Sequence, residues 1–170
     1  MIEHHTHTFP IFINEDSEIL ILGSFPSVKS RENMFYYAHP QNRFFKVLSK
    51  LFNEKYSLDI TDRKELLKKH RIALYDVIEE CDIEGSADNT ISNITPIDIK
   101  AILCKFPNIK VIATTGSKAA SLFDKYLLDK VGNRKVIHLP STSPANAKMK
   151  LDELVSKYKE IVRLKNSECL

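Results

Sequence analysis

The sequence predicts an α/β fold, a three-layer α/β/α sandwich on a short, mostly parallel sheet of four strands. Three observations predict it. Four short apolar runs recur along the chain, ending near Gly23, Asp76, Gly116 and Pro140. Segments of helical periodicity separate them, as crossovers between parallel strands require. The 170 residues, 43% apolar and 28% charged, supply the core of one ordinary globular domain and would be stretched over two. Residues 1–170 therefore read as a single domain, with about residues 1–8 expected as a flexible start.

SEILILGS, Ser17 to Ser24, is an apolar run closed by Gly23, the pattern of a strand buried on both faces. A loop through Pro26 and Pro40 follows. In NRFFKVLSKLFN, Phe44, Val47, Leu48, Leu51 and Phe52 recur at helical spacing, Arg43, Lys46 and Lys50 fall largely elsewhere on the wheel, and Asn42 is the expected cap. TDRKELLKKH reads as a charged helix capped by Thr61, and RIALYDVI as the second strand, with Asp76 near its end. Cys81 to Thr95 reads as a polar irregular stretch. PIDIKAILCKF is a helix, NIKVIATTGS a third strand running into Gly116, and SKAASLFDKYLL the helix after it. RKVIHLPSTSPAN gives a fourth strand ending at Pro140. NAKMKLDELVSKYKEIVRLK closes the chain as an amphipathic helix with Leu151, Leu154, Val155, Tyr158 and Val162 on one face.

In such sheets ligands collect at the carboxyl ends of the strands. Two of the four glycines, Gly23 and Gly116, stand at those ends, where backbone turns sharply or approaches a ligand. TTGSKAA lacks the second Gly and the Lys-Ser/Thr pair of a phosphate loop and no G-x-G-x-x-G occurs, so no nucleotide cofactor is expected. GSFPS lacks the G-x-S-x-G of a nucleophile elbow. Cys81, Cys104 and Cys169 lie far apart without metal-ligand spacing; they suggest neither a disulfide framework nor a zinc or iron–sulfur site, and fit a reducing cytoplasm. HHTH, His4 to His7, has no carboxylate or Cys at ligand spacing, so no metal is expected there. With no run of about eighteen apolar residues and no leader pattern, a soluble protein without a membrane partner is expected. A net charge of +3 permits an anionic partner without demanding one, because 22 acidic residues are mixed among 25 basic ones.

Two stretches stand out. PSTSPAN sets three hydroxyls between two prolines directly after a strand; it serves either as a turn and helix cap or as a stiff loop gripping phosphate oxygens. FYYAHPQNRFF packs five aromatics, a His, a Pro and an Asn into eleven positions. It is either core under a loop or a surface for a flat ligand, since tyrosines both stack and hydrogen-bond. His39 is its titrating group, and Asn42 can hold a water without titrating.

LILGSFPSVKS, YYAHPQNRFF, ALYDVIEECDIEGSADNTI and LPSTSPA, in this order, resemble the uracil-DNA glycosylase superfamily, and among its branches the hypoxanthine-DNA glycosylases. The resemblance spans nearly the whole chain from Phe9. It implies hydrolysis of the N-glycosidic bond of a damaged base flipped out of the duplex, with damaged DNA as the partner of a monomeric enzyme. It implies a base pocket walled by Gly23, Ser24, Phe25 and Pro26. The superfamily often carries its water-activating acid or amide in that first motif; here Ser24 and Phe25 stand in its place, and the resemblance passes the role to Asn42. His39 is the implied donor to the leaving base, and Phe25, Tyr36 or Tyr37 the stacking surface. Asp76 lies where relatives place a base-recognising Asn. Ser141, Thr142, Ser143 and Ala145 correspond to the loop that pinches the DNA backbone, with Arg43 and Lys148, and more distantly Arg31 and Lys46, as phosphate contacts. Ala145 and Asn146 are small for a residue that fills the vacated stack. A uracil or G·U enzyme of the same superfamily, and a non-catalytic lesion-binding module, are the alternatives.

Overall fold

The apolar runs become strands and the periodic segments helices. In the computed structural model, which describes residues 1–167, the order is β1 (Glu3–Thr6), β2 (Ile19–Gly23), α1 (Val28–Asn33), α2 (Phe44–Leu51), α3 (Ile60–Lys69), β3 (Ile72–Asp76), β4 (Ile78–Ile83), β5 (Ser92–Pro96), α4 (Ile99–Lys105), β6 (Val111–Thr115), α5 (Ser117–Tyr126), β7 (Lys135–Leu139) and α6 (Leu151–Asn166). The four predicted strands form one parallel sheet in the order β3-β2-β6-β7. The chain leaves β2 to one side for β3 and returns on the other for β6, which makes the carboxyl end of β2 a switch point where a crevice opens.

Every residue of β2 is buried, so its alternation divides the core in two. Ile19 and Ile21 face α2, α3 and α6, contributing to a cluster with Phe44, Phe45, Leu67 and Tyr158. Leu20 and Leu22 face α4 and α5, with Ile99, Leu103 and Phe123. Burial of each such side chain contributes roughly 1.5–3 kcal/mol against the entropy of ordering it. The sheet between two helical layers is the α/β/α sandwich expected.

Several local expectations need correction. Residues 1–8 are not a loose start: β1 pairs antiparallel with β4, from Glu3 opposite Ile83 to Thr6 opposite Glu80, and His7 continues the ladder by donating its amide to the Glu79 carbonyl at 2.7 Å. The pairing recruits polar residues that carry no apolar signature, and His4 Nδ1 lies 2.8 Å from the Asp82 carboxylate. The stretch from Cys81 to Thr95 is likewise ordered, since β4 and β5 pair and complete a second sheet, β1-β4-β5. Helix α3 starts at Ile60, so its cap is Asp59, whose carboxylate accepts the Thr61 and Asp62 amides, not Thr61. Helix α2 starts at Phe44, which makes Arg43 its boundary residue, though the Asn42 side chain still accepts the Phe44 amide at 2.9 Å. Helix α6 starts at Leu151, because Asn146 bonds back to the Ser141 and Ser143 carbonyls and holds 146–150 out of the helix. Cys81 and Cys104 are free thiols, and Cys169 lies outside the described residues. Among the described residues no helix is long and apolar enough to cross a membrane.

Candidate active site

The carboxyl ends of β2, β3, β6 and the segment after β7 surround a cavity of about 400 Å3, the size range in which small ligands are held. Gly23, Ser24, Phe25, Pro26, Tyr36, Tyr37, His39, Asn42, Asp76, Ser141, Thr142, Ser143 and Ala145 all line it. Arg43 and Lys148 do not.

One wall joins the start of α2 to the loop after β7. Asn42 Oδ1 accepts two hydrogen bonds, from the Phe44 amide at 2.9 Å and from the Thr142 hydroxyl at 2.8 Å. Both lone pairs are therefore committed, the amide is oriented, and the free Nδ2 is a donor. Thr142 is 1% exposed, and its carbonyl accepts the Arg43 amide at 3.1 Å. The Arg43 guanidinium donates to the carbonyls of Met149 and Asn146. Thr142 and Arg43, expected to meet phosphates, clamp the loop to α2 in the free protein, because buried polar groups must find partners close by. Ser141 and Ser143 remain on the cavity side; their oxygens accept the amides of Ser143 and Ala145, which leaves each hydroxyl proton free to donate. Lys148 is exposed beyond the cavity. Arg31 donates to the Pro26 and Gly85 carbonyls, and Lys46 is exposed with its ammonium 5.5 Å from the Tyr56 ring centre.

His39 stands at the same wall. Its Nδ1 accepts the Gln41 amide at 3.1 Å, which places the ring proton on Nε2. The imidazole thus presents Nε2–H as a donor. The tyrosines before it divide their duties. Tyr36 is 3% exposed and donates to the Pro10 carbonyl, while Tyr37 stacks on Phe44 with ring centroids 3.9 Å apart, one face thereby occupied. Tyr37 holds a left-handed backbone, φ 52, an unfavourable conformation retained where it brings the hydroxyl 3.1 Å from Thr115 Oγ1 at the cavity floor. Desolvation pushes both phenols well above their ordinary range, so both stay neutral. Phe25, on the far side, carries the Arg31 guanidinium 5.7 Å from its ring centre.

The floor is Gly23 and Asp76, at the paired ends of β2 and β3. A Cβ at position 23 would stand 2.6 Å from Asp76 Oδ1, so only glycine lets the carboxylate lie over the strand end. Asp76 Oδ2 lies 2.8 Å from His7 Nε2, and the two side chains are 7% and 2% exposed. At the rim the Asp88 carboxyl turns inward to accept the Ser24 hydroxyl at 2.8 Å, although the residue as a whole is exposed. Desolvation raises its proton affinity; the Ser24 bond and Lys118 oppose the rise and Asp76 adds to it.

Sequence reasoning missed His7, Asp88 and Thr115. Thr115 precedes Gly116 at a strand end and Asp88 falls within the ECDIEGSADNTI stretch, so both had a positional signal. His7 had none, because its place depends on β1 pairing with a strand more than 70 residues away. No group of three or more His, Cys, Asp or Glu able to hold a metal occurs among the described residues. His4, His5 and His7 approach three different carboxylates, those of Asp82, Glu3 and Asp76.

Residues 10–163 match the Uracil DNA glycosylase superfamily profile. A Methanosarcina acetivorans protein described as a hypoxanthine DNA glycosylase is 35% identical over 140 residues, covering 81% of this chain and 86% of its own. One from Methanosarcina barkeri with the same description is 35% identical over 112 residues, covering 65% and 71%. The solution NMR structure of a Methanosarcina acetivorans protein described as a candidate uracil DNA glycosylase superposes with a TM-score of 0.81 at 30% identity, covering 98% of this chain and 100% of that one. The matched span contains every residue that lines the cavity, and the chain belongs to the uracil-DNA glycosylase superfamily.

Proposed function

We propose that this protein is a monofunctional DNA glycosylase that removes a deaminated base, foremost hypoxanthine, from DNA and so begins base excision repair, working as a cytoplasmic monomer. The observation that carries the reading is the convergence of a donor wall, Asn42 and His39, and an acceptor floor, Asp76, on one cavity sized for a small flat ligand. The hypoxanthine descriptions of two relatives support the choice of base.

The nucleotide leaves the stack and its base enters the cavity. The C1′–N9 bond breaks with its electron pair departing on the purine, and positive charge builds on the sugar as an oxocarbenium ion. Nε2–H of His39 donates to a ring nitrogen of the leaving base, which stabilises the charge it acquires. A water oxygen then bonds to C1′ and gives up a proton while the purine takes one up, leaving free hypoxanthine and an abasic site. An oxocarbenium ion needs a well-placed water more than a strongly basic one. Asn42 suits that need: its oxygen is committed within the protein, and Nδ2 can donate to one lone pair of the water while the other attacks.

The test is a panel of duplexes carrying deoxyinosine or deoxyuridine opposite each normal base, assayed for abasic sites. The expected order is deoxyinosine fastest. Abasic sites from none of them would overturn the reading and leave a lesion-binding module. Faster removal of uracil would favour a uracil or G·U enzyme, which a uracil-glycosylase description of a similar structure and the shared N–H/C=O edge of the two bases also support.

A further inference from the structure

His7 and Asp76 form a buried pair whose geometry fixes what the cavity floor can offer a ligand. The Phe9 carbonyl lies 2.9 Å from His7 Nδ1 and can only accept, so Nδ1 carries a proton. Nε2 lies 2.8 Å from Asp76 Oδ2, and one proton occupies that bond. It sits either on Nε2 facing a carboxylate or on Oδ2 facing a neutral imidazole. In both arrangements Oδ1 bears lone pairs only. Oδ1 makes no hydrogen bond, and no described side-chain nitrogen or oxygen is buried without a partner, so Oδ1 opens on the cavity. The other groups around His7 are the rings of Phe9, Phe25, Tyr36 and Tyr75. Desolvation keeps the Tyr36 and Tyr75 hydroxyls protonated, so neither supplies a competing charge.

We propose that His7 is a specificity-determining positioning residue: by occupying Oδ2 it makes Asp76 an obligate hydrogen-bond acceptor, so the floor reads the ring N–H that deamination creates. This rests on the reading of the cavity as a base pocket. Deamination turns the N1 lone pair and N6 amine of adenine into an N–H beside a carbonyl, and does the same at N3 and C4 of cytosine. An acceptor at Oδ1 matches that N–H. It sets lone pair against lone pair when the undamaged base is offered. Without His7 nothing holds Oδ2, so the carboxyl is free to rotate Oδ1 out of line with the base edge and the match is lost.

The experiment measures affinity for duplexes carrying deoxyinosine against deoxyadenosine, and deoxyuridine against deoxycytidine, in the Asn42→Ala background, whose excision is expected to be slow enough for binding to be read. Excision by the unmodified protein is measured in parallel. His7→Leu is expected to cut the preference for the deaminated base about tenfold or more. His7→Gln, whose amide still donates to Oδ2, is expected to restore it, which a role in folding alone would not produce. Thermal unfolding of each variant establishes that it is folded at the assay temperature. An unchanged preference in folded His7→Leu overturns the inference, as does a folded His7→Gln as unselective as His7→Leu. Should His7→Leu fail to fold, His7→Gln decides: retained preference supports the inference and lost preference overturns it. If the unmodified protein excises nothing while its preference still follows His7, the glycosylase reading fails and the inference stands.

Discussion

The two sides of the cavity are held by different physics. The wall is a lattice of neutral groups in which the Asn42 amide, the Thr142 hydroxyl and backbone N–H and C=O satisfy one another, with Arg43 pinning the loop from behind. The floor is an ionisable pair, His7 and Asp76, almost closed to water. A neutral lattice fixes position without committing charge, which suits a group that must place a water. A dry pair with one shared proton fixes donor and acceptor identity, which suits a group that must choose a base. The difference assigns chemistry to the wall and selection to the floor.

That division can be broken in graded ways. The floor rests on β2, so Leu22→Ala, at a position with no exposure, should cost about 2–5 kcal/mol of stability in denaturant unfolding. Gly23→Ala forces a methyl to within 2.6 Å of Asp76 Oδ1. It should displace the carboxylate and lower the binding preference for deoxyinosine over deoxyadenosine about a hundredfold, equivalent to roughly 2.7 kcal/mol, with much less change in stability than Leu22→Ala. Thr142→Val keeps the shape of the wall and removes one of the two donors to Asn42 Oδ1; a loss of about tenfold in excision rate, with little change in base preference, is expected. The smallest effect belongs to Lys148→Ala, on the exposed outer loop. It should leave the chemical step untouched and reduce the salt dependence of DNA affinity by at most about one unit of log–log slope.

The wall was far more legible in the sequence than the floor, and the reason is locality. Asn42, His39 and the two tyrosines fall within seven residues, directly before a helix whose apolar spacing is plain, and Ser141 to Ser143 follow an apolar strand. Asp76 was legible because it ends such a strand. His7 was not, since β1 is a polar edge strand of four residues whose only warrant is its pairing with β4. The second sheet was hidden for the same reason: β5 buries none of its residues fully, so no run of apolar residues marks it. The clamping role of Arg43 and Thr142 was not legible because charge and hydroxyl groups look alike in a sequence whether they face DNA or a backbone carbonyl. Only the described contacts separate the two.

The division itself is tested most directly by Asn42→Ala, measured for single-turnover excision of deoxyinosine and for equilibrium binding of deoxyinosine against deoxyadenosine duplexes. A wall that acts in chemistry alone predicts that excision falls about a hundredfold or more while the binding preference stays at the level of the unmodified protein. Excision at the unmodified rate, or a loss of preference matching the loss of rate, would contradict it.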